Sequence, residues 1–505
     1  MPELTNLGDL LNRSADPAHP ALVDCSAPGG PHRMSHGELD AACRAAARGF
    51  AGLGLARGDR VAVLAANSAE FVISCCALMR AGLVAVPINY RFPPETVAFI
   101  LDDADCRVAL VDRDRRAAVP DGLPALVFRS DGPESFERVL DPGPFETLRP
   151  DPDEVALFLY TSGSTGRPKG VPLTHRGHLW VVEQRIARRP DPAHRLLVAA
   201  PLYHMNGLAI CQMALAAHLT IVLMPRFAAG EYIRAIGEHR VTWLTSVAAM
   251  MAMVVRERDE LAKTDLSSVS IVRMGSAPVS PQLVADIREI LPQARITNGY
   301  GTTEAGPVVH GPHPDGLAQP DISVGYPIPG ISRLVDGDNP DPDQGEIQCR
   351  NPAVTPGYHK LPEKTAEVMT PDGWYRTGDV MRRDADGFHY FVGRLDDMFN
   401  CGGENIYPSE VEKLLERHEA VEQACVIPVA DAIKGFKPIA FVVRRPGHAV
   451  SEDELRRFTL ARGPAYQHPR SVTFLETLPL SGTNKIDRQA LARRADMLLS
   501  PAGRA

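Results

Sequence analysis

Short apolar segments alternate with helical patterns through most of this chain, and that alternation limits the folds open to it. Before about residue 393, apolar runs too short for a core helix have the length and composition of buried strands. Helical stretches lie between them, the first opened by a capping-box pattern from Ser35 to Glu38. Strands joined by helices are typical of an α/β fold. The predicted strands cover residues 60–64, 84–88, 108–112, 196–200, 219–223 and 269–273.

The length of the chain predicts more than one domain. A single hydrophobic core rarely serves more than about 250–300 residues, and this chain has 505. The sequence pattern changes after Gly393: Glu-rich helical segments flank short strands there, and the region has the size of an ordinary domain. We therefore predict a large N-terminal domain of α/β subdomains with mixed sheets over residues 1–393, a hinge at 394–397, and a small, mobile α+β domain over 398–505.

Composition excludes several classes of partner. With a formal net charge of −8 and no basic tract, the chain is a poor partner for nucleic acid or an anionic membrane, so we expect small molecules. The nine cysteines lack metal-ligand spacing, which is typical of reduced thiols in a cytoplasmic protein, and the N-terminus shows no secretory signal pattern. The longest apolar stretch, residues 208–224, carries Gln212 and His218, so we predict a core helix and strand rather than a membrane span. The oligomeric state stays open.

A loop rich in glycine and serine is the strongest functional signal in the chain. Residues 160–170 read Tyr-Thr-Ser-Gly-Ser-Thr-Gly-Arg-Pro-Lys-Gly and follow an apolar run directly. Their amides, hydroxyls and one cation can surround a phosphate. A surface turn is the commoner structure for such composition, but a strand before the loop and a helical pattern after residues 171–174 favour a phosphate site. The P-loop is excluded, because Lys169 is followed by Gly170 rather than by a Mg²⁺-binding hydroxyl.

Further motifs follow this loop in the chain. Each has a plain structural explanation when taken alone, such as a turn, a salt bridge, a core histidine or a solvated lysine. The motifs are residues 201–207 (Pro-Leu-Tyr-His-Met-Asn-Gly), 275–278 (Gly-Ser-Ala-Pro), 298–304 (Asn-Gly-Tyr-Gly-Thr-Thr-Glu), 374–379 (Trp-Tyr-Arg-Thr-Gly-Asp), 393–398 (Gly-Arg-Leu-Asp-Asp-Met), 401–408 (Cys-Gly-Gly-Glu-Asn-Ile-Tyr-Pro) and 479–488 (Pro-Leu-Ser-Gly-Thr-Asn-Lys-Ile-Asp-Arg). Together with the loop they resemble the signatures of the adenylate-forming enzymes: acyl-CoA synthetases, peptide-synthetase adenylation domains and luciferases. The resemblance spans about residues 34–488.

The resemblance implies a nucleotide site built from these motifs. Asp379 matches the family residue that accepts hydrogen bonds from the ribose hydroxyls, a role that suits a carboxylate. Arg394 matches an arginine near the ribose and phosphates, Thr303 a hydroxyl on the α-phosphate, and Glu304 a Mg²⁺ ligand. The implied ATP- and AMP-binding residues are Thr161, Ser162, Gly163, Ser164, Thr165, Lys169, Gly275, Ser276, Ala277, Pro278, Asn298, Gly299, Tyr300, Gly301, Thr302, Asp379 and Arg394.

The C-terminal region is implied to act in two separate steps. Lys485 matches the catalytic lysine that neutralises charge on the acyl carboxylate and α-phosphate. Asn484 precedes it where relatives have glycine, and Asn tolerates left-handed backbone better than other non-Gly residues. Asp396 matches the hinge residue, and Cys401 stands where serine is usual in a loop that lines the pantetheine tunnel after domain rotation. The implied tunnel residues are Cys401, Gly402, Gly403 and Glu404.

The implied reaction joins a carboxylic acid to CoA at the expense of ATP, with Mg²⁺ as the metal. The carboxylate attacks the α-phosphate to give an acyl-adenylate and pyrophosphate, and the CoA thiol then displaces AMP. Two alternatives stay open: a stand-alone adenylation enzyme that loads a carrier protein, and a non-catalytic nucleotide-binding regulator. The loop at residues 401–408 disfavours the first. The joint presence of Lys169, Glu304, Asp379 and Lys485 disfavours the second.

The acid itself is predicted only in outline. The segments expected to line the acyl pocket mix bulky apolar groups with hydroxyls, and no Arg or Lys occurs from residue 243 until Arg256. Because a dicarboxylate needs a buried cation, we predict a compact monocarboxylic acid that is short to medium, branched or hydroxylated. The predicted acyl-pocket residues are His204, Trp243, Ser246, Val247, Tyr300 and His310.

Overall fold

The structure is a computed structural model that describes residues 4–162, 167–431, 433–481 and 485–499. Its strands up to residue 299 are β1 (Pro20–Asp24), β2 (His32–Ser35), β3 (Arg60–Leu64), β4 (Val84–Pro87), β5 (Cys106–Val111), β6 (Ala125–Val127), β7 (Val155–Ser162), β8 (Pro168–Thr174), β9 (Arg195–Val198), β10 (Thr220–Leu223), β11 (Trp243–Ser246), β12 (Ile271–Gly275) and β13 (Arg295–Gly299). The later strands are β14 (His310–Gly311), β15 (Tyr326–Pro327), β16 (Ser332–Val335), β17 (Gln344–Cys349), β18 (Tyr375–Arg383), β19 (His389–Arg394), β20 (Phe399–Cys401), β21 (Glu404–Ile406), β22 (Val421–Asp431), β23 (Gly435–Arg444) and β24 (Val472–Leu475).

The helices fall between these strands, as the alternating sequence pattern predicts. They are α1 (His36–Ala51), α2 (Ala69–Arg80), α3 (Pro94–Asp103), α4 (His175–Ile186), α5 (Met205–Ala216), α6 (Ala229–Glu238), α7 (Ala248–Arg256), α8 (Arg258–Lys263), α9 (Pro281–Ile290), α10 (Pro362–Val368), α11 (Pro408–Leu415), α12 (Glu452–Arg462) and α13 (Arg488–Leu499). The longest apolar stretch forms α5 and β10, as predicted. No helix in the described ranges has both the length and the apolar character that a bilayer crossing requires.

Two mixed sheets form the centre of the fold. A seven-stranded sheet has the order β13-β12-β11-β9-β10-β1-β2, and a six-stranded sheet has the order β6-β5-β3-β4-β7-β8. Pairing is parallel except at one edge of each sheet, where β1·β2 and β7·β8 are antiparallel. The predicted α/β class with mixed sheets is therefore confirmed.

The largest apolar cluster joins the two sheets through the helices packed between them. It contains buried residues of α1, α2 and α5 together with strand residues of both sheets, for example Phe50, Phe71, Val63 and Val198. The outer face of the seven-stranded sheet packs on α6, α7 and α9, and that of the six-stranded sheet packs on α3. Burial on both faces explains why the strands are nearly continuous apolar runs.

The segment after the glycine- and serine-rich loop differs from the sequence expectation. The sequence predicts that residues 171–174 lead into a helix, and α4 does begin at His175. The strand was not expected: residues 168–174 form β8, which pairs antiparallel with β7. The apolar residues Val171 and Leu173 enter the core, and β-branched and apolar alternation in this short run favours a strand. The loop is therefore a hairpin connection.

Beyond residue 399 the chain builds a separate sheet with its own core. Strands β21-β20-β23-β22 form an ordered sheet in which β24 also pairs with β23, and apolar clusters lie on both of its faces under α11 and α13. In the described chain, no apolar cluster contains residues from both this region and the region before it. The nine cysteines are all free, and eight of them are buried.

Polar contacts join the two regions. Arg445 pairs with Asp286 at 3.0 Å, and Arg256 pairs with Glu422 at 3.2 Å. The Lys413 ammonium donates to a backbone carbonyl of β19 at 2.6 Å. The C-terminal region is thus held against the N-terminal region by charged groups rather than by a shared core.

The capping box predicted at the start of α1 is present. Ser35 Oγ accepts a hydrogen bond from the Glu38 amide at 3.2 Å, and the Ser35 amide donates to Glu38 Oε2 at 2.8 Å. The reciprocal bonds satisfy two backbone donors that the first helical turn otherwise leaves without partners. The box therefore fixes where α1 begins.

Replacing the capping serine should lower the stability of the N-terminal region. We expect Ser35→Ala to reduce the free energy of unfolding by about 1 kcal/mol, because an N-cap acceptor is lost. Ser35→Asp keeps an acceptor and should stay close to the parent protein. Urea titration followed by circular dichroism measures both variants, and an equal loss in the two would contradict the capping role.

Candidate active site

One large cavity collects most of the sequence-predicted residues. It has a volume of about 1490 Å³ and lies at the carboxyl ends of β11, β12 and β13, the edge at which open parallel sheets bind ligands. Its wall also includes the loop ends of β7 and β8, the strands β18 and β19, and parts of α11 and α13 from the C-terminal region. The cavity therefore lies between the two regions of the chain.

The phosphate-binding segment enters the cavity from the β7–β8 hairpin. Thr161 and Lys169 are cross-strand partners, and both line the cavity. The Lys169 ammonium lies 4.3 Å from the centre of the Tyr358 ring, a cation–π contact that orients the side chain. Of the other predicted loop residues, Ser162 ends β7, and Gly163, Ser164 and Thr165 lie outside the described residues.

A tyrosine, an aspartate and an arginine form one hydrogen-bonded and ionic cluster. The Tyr300 hydroxyl donates to Asp379 Oδ2 at 2.6 Å, and Arg394 Nη1 lies 3.6 Å from Asp379 Oδ1. The register of β18 and β19 sets Asp379 directly opposite Arg394. Burial raises the pKa of Asp379, with Arg394 and the Tyr300 hydroxyl acting in the opposite direction. Asp379 thus presents a buried carboxylate to the cavity, as the predicted ribose contact requires.

The predicted metal ligand lies beside this cluster. The Tyr358 hydroxyl donates to Glu304 Oε1 at 3.0 Å. Thr302 and Thr303 line the cavity next to Glu304. The described residues contain no group of three or more side chains arranged to hold a metal by themselves. One carboxylate fits Mg²⁺, which is commonly bound by one or two carboxylates together with substrate phosphates.

The segment predicted to border the adenine has small side chains, which would let a flat base come close to the backbone. Gly275, Ser276, Ala277 and Pro278 all line the cavity, and so do Asn298, Gly299 and Gly301. A Cβ atom at Gly275 would lie 3.1 Å from the Gly299 carbonyl oxygen on the neighbouring strand. Ser276 has a left-handed φ of 64°, a conformation that non-glycine residues rarely adopt and that is concentrated at functional sites.

Lys485 reaches this cavity from the C-terminal region. Desolvation lowers its pKa, while the nearby carboxylates of Asp379 and Glu304 act against that shift. Burial and, to a smaller extent, the charge of Lys485 lower the pKa of His204 to about 3. Arg488 binds both carboxylate oxygens of Glu412, at 2.7 and 2.8 Å, and so fixes the helix that begins three residues after Lys485. The structure brings Lys485 together with the N-terminal groups, whereas Asn484 lies outside the described residues.

Three of the predicted acyl-pocket residues do not line the cavity. Trp243 begins β11 at the far end of the strand, where its ring meets His194 edge-on at 5.6 Å. The Ser246 hydroxyl is buried and donates to the Val247 carbonyl. These placements follow from the strand register, which the sequence expectation did not resolve.

His310 does not line the cavity either. It is buried behind Tyr300, and its Nε2 lies 3.1 Å from Nδ1 of His389. His204, Val247 and Tyr300 do line the cavity.

Two arginines in the cavity wall were missed. Arg185, at the end of α4, and Arg273, in the middle of β12, both line the cavity. The sequence expectation rested on residues 243–256, and nothing in the sequence marks a helix residue so far upstream as part of the same wall. The cavity thus has two cationic side chains that the monocarboxylic prediction did not take into account, and that prediction stays a prediction.

The predicted tunnel residues lie away from the cavity in this arrangement. Cys401 is buried in the C-terminal core, while Gly402, Gly403 and Glu404 are exposed at the tip of the β20–β21 hairpin. Both glycines have left-handed φ values, 66° and 97°, which this tight turn requires. Asp396, the predicted hinge residue, lines the cavity and pairs with Arg394 at 3.6 Å.

Comparison with known proteins identifies the family. The description "AMP-binding enzyme" matches residues 12–359, and "AMP-binding enzyme C-terminal domain" matches residues 410–485. A sulfoacetate–CoA ligase of Cupriavidus necator is 32% identical over 483 residues, covering 92% of this chain and 93% of that protein. A feruloyl-CoA synthase of an Amycolatopsis species is 34% identical over 471 residues, covering 91% and 94%.

Solved structures agree with this assignment. ATP-bound MatB from Rhodopseudomonas palustris superposes with a TM-score of 0.87 at 26% identity, covering 97% of this chain and 99% of that one. The anthranilate CoA ligase AuaEII in complex with anthranoyl-AMP gives a TM-score of 0.87 at 26% identity, covering 98% of each chain. The chain belongs to the AMP-binding, adenylate-forming enzymes. Within that family it is an AMP-forming acid–CoA ligase, and this membership implies ATP and CoA as substrates.

Removing the charge of Asp379 should weaken nucleotide binding. We expect Asp379→Asn to reduce the affinity for AMP by about 10-fold or more, because a hydrogen bond to a charged acceptor contributes about 1.5–3 kcal/mol. Asp372→Asn is a matched control, since Asp372 is exposed, pairs with Arg333 and does not line the cavity. Isothermal titration calorimetry with AMP measures both, and unchanged affinity in Asp379→Asn would contradict the ribose assignment.

Proposed function

We propose that this protein activates a compact carboxylic acid with ATP and transfers the acyl group to the thiol of CoA. The observation that carries the proposal is the convergence of Lys485, Asp379 and Glu304 on one cavity. These groups come from three separate parts of the chain, and Lys485 comes from the C-terminal region. The first half-reaction needs this set: a cation for the reacting carboxylate and α-phosphate, an acceptor for the ribose, and a carboxylate for the metal.

Each group has a defined task in this proposal. Lys485 stabilises the negative charge that gathers as the acid attacks the α-phosphate, a role that depends on position and electrostatics. Lys169 and the hairpin loop hold the β- and γ-phosphates of the departing pyrophosphate. Glu304 holds Mg²⁺, which would neutralise phosphate charge. Asp379 and Arg394 fix the ribose end of the nucleotide.

The second half-reaction requires a different arrangement of the chain. The exposed hairpin that carries Gly402 and Gly403 is remote from the cavity in the present arrangement. We propose that rotation about Asp396 withdraws Lys485 and brings this hairpin to the cavity to form the CoA tunnel. The corresponding domains are residues 1–393 and 398–505, with residues 394–397 between them. The polar contacts between the two regions support such a rotation, because no shared core has to open.

The identity of the acid is not inherited from the relatives. By name, the relatives act on sulfoacetate, ferulate and anthranilate, which differ in size. Val247, Met250 and Ile210 contribute apolar surface to the cavity wall, which suits the short or branched acid predicted from the sequence.

A carrier-protein loading enzyme is the second candidate. It performs the same first half-reaction, so the cavity fits it equally well. The exposed Gly402–Gly403 hairpin favours CoA, because it resembles the CoA-ligase loop. A regulator without turnover is disfavoured by the position of Lys485 inside the cavity.

Product analysis separates these candidates. We expect the protein, mixed with ATP, Mg²⁺, CoA and a panel of short acids, to release pyrophosphate and AMP and to form an acyl-CoA visible by mass spectrometry. Adenylate formation without thioester formation would favour the carrier-loading enzyme. Absence of pyrophosphate release with every acid, despite AMP binding, would favour the regulator.

The two half-reactions should respond differently to loss of Lys485. We expect Lys485→Ala to reduce acyl-adenylate formation by at least 100-fold, since a preorganised charge at a reacting centre contributes several kcal/mol. Thioester formation from supplied acyl-adenylate and CoA should stay near the parent rate. Lys263→Ala, an exposed lysine outside the cavity, serves as control. Equal loss of both half-reactions would contradict the assignment.

A further inference from the structure

Two arginines lie in the cavity wall without anionic partners. Nε and Nη1 of Arg185 are buried and have no hydrogen-bond partner in the described chain. Among the described residues, neither Arg185 nor Arg273 forms an ion pair with a carboxylate. Buried guanidinium groups are normally paired, because an unpaired charge in the interior is costly. The fold therefore maintains a positive site that its own side chains do not neutralise.

The electrostatics of the two residues agree with this geometry. Burial lowers the pKa of Arg185 far below its usual value, with further lowering from the charges of Arg273 and Arg188. Burial also lowers the pKa of Arg273 to about 10, and Arg188 adds to the shift. No carboxylate contributes to either shift. An anion entering the cavity would relieve both the desolvation and the mutual repulsion.

The register of the sheet places Arg273 two residues before Gly275, farther from the carboxyl end of β12. Arg273 and Gly275 lie on the same face of β12, two residues or about 7 Å apart. Gly275 belongs to the segment predicted to border the adenine, at the carboxyl end of the strand. The Arg273 guanidinium packs over Gly299 of the neighbouring strand, where a Cβ atom would lie 2.9 Å from Nη2. Lys485, Arg185 and Arg273 line the same cavity, so an acid whose carboxylate meets Lys485 could direct its other end toward these arginines.

We propose that Arg185 and Arg273 bind a second anionic group at the far end of the acyl substrate. The acid is then dianionic, with one carboxylate that reacts and a second anion, such as a carboxylate or sulfonate, that stays intact. This inference rests on the proposed acid-activating function. The nucleotide does not account for the pair, because its phosphates and ribose already have Lys169, Arg394 and Lys485. Guanidinium forks also match carboxylate and sulfonate oxygens geometrically.

Matched acids test the charge requirement directly. Pyrophosphate release is measured with succinate against butyrate, with glutarate against valerate, and with 3-sulfopropionate against butyrate. We expect kcat/KM to favour the dianionic member of at least one pair by 100-fold or more. The carboxylate and sulfonate arms distinguish a planar from a tetrahedral second anion. Activity confined to the monoanionic acids would overturn this inference and leave the proposed function intact, whereas no activity with any acid would count against both.

Variants of the two arginines supply the second test. We expect Arg185→Gln and Arg273→Gln to lower kcat/KM for the dianionic acid by 10- to 100-fold each, as removal of a charged hydrogen bond does. The ratio of kcat/KM for the dianionic acid to kcat/KM for its monoanionic counterpart should fall by a similar factor. Arg176→Gln is a matched control on the same helix, because Arg176 is exposed and pairs with Asp153. Equal losses for both acids of a pair would contradict anion binding.

Stability distinguishes a binding role from a structural one. Because neither arginine has an anionic partner, Arg185→Gln and Arg273→Gln should leave the thermal unfolding midpoint unchanged or raise it. Addition of the preferred dianionic acid with AMP should raise the midpoint of the parent protein more than that of either variant. A large fall in the midpoint of both variants without ligand would show that the arginines hold the fold together, and would overturn the proposal.

Discussion

The parallel register of three neighbouring strands governs the whole site. Thr245, Arg273 and Thr297 stand side by side on β11, β12 and β13, and Gly275 stands opposite Gly299. One step along these strands moves a side chain from the cavity to the opposite face, which is why Val247 lines the wall and the buried Ser246 does not. The pairing of β11, β12 and β13 therefore brings residues of three separate segments to one wall of the cavity.

Much of the architecture was accessible from the sequence because it depends on local pattern. Short apolar runs gave strands close to their observed bounds, and Ser35 marked the start of the first helix correctly. The separate core beyond residue 399 was predicted from the change to Glu-rich helical patterns after Gly393. The β8 strand was missed because its short apolar run stands directly before a helical pattern and was taken as the approach to that helix. Only its antiparallel partner β7 decides its conformation.

The residues of the site were predictable to the extent that they belong to local motifs. Groups within a motif, such as Glu304, Asp379 and Lys485, were found because fixed spacing identifies them, although their roles stay predictions. Residues that reach the cavity only through tertiary packing were not found from the sequence. Arg185 lies on a helix with no recognisable motif, and His310 was placed in the pocket when it packs against His389 behind the pocket wall. Long-range register, which no single segment encodes, decides such cases.

The polar character of the contact between the two regions has a consequence for the proposed rotation. When Arg445 parts from Asp286 and Arg256 from Glu422, each partly buried charge loses its partner but regains water, so the hydration gained offsets part of the attraction that is lost. In the proposed cycle, the change of orientation would therefore exchange ion pairs for hydrated charges, and its energetic balance would depend on pH and ionic strength.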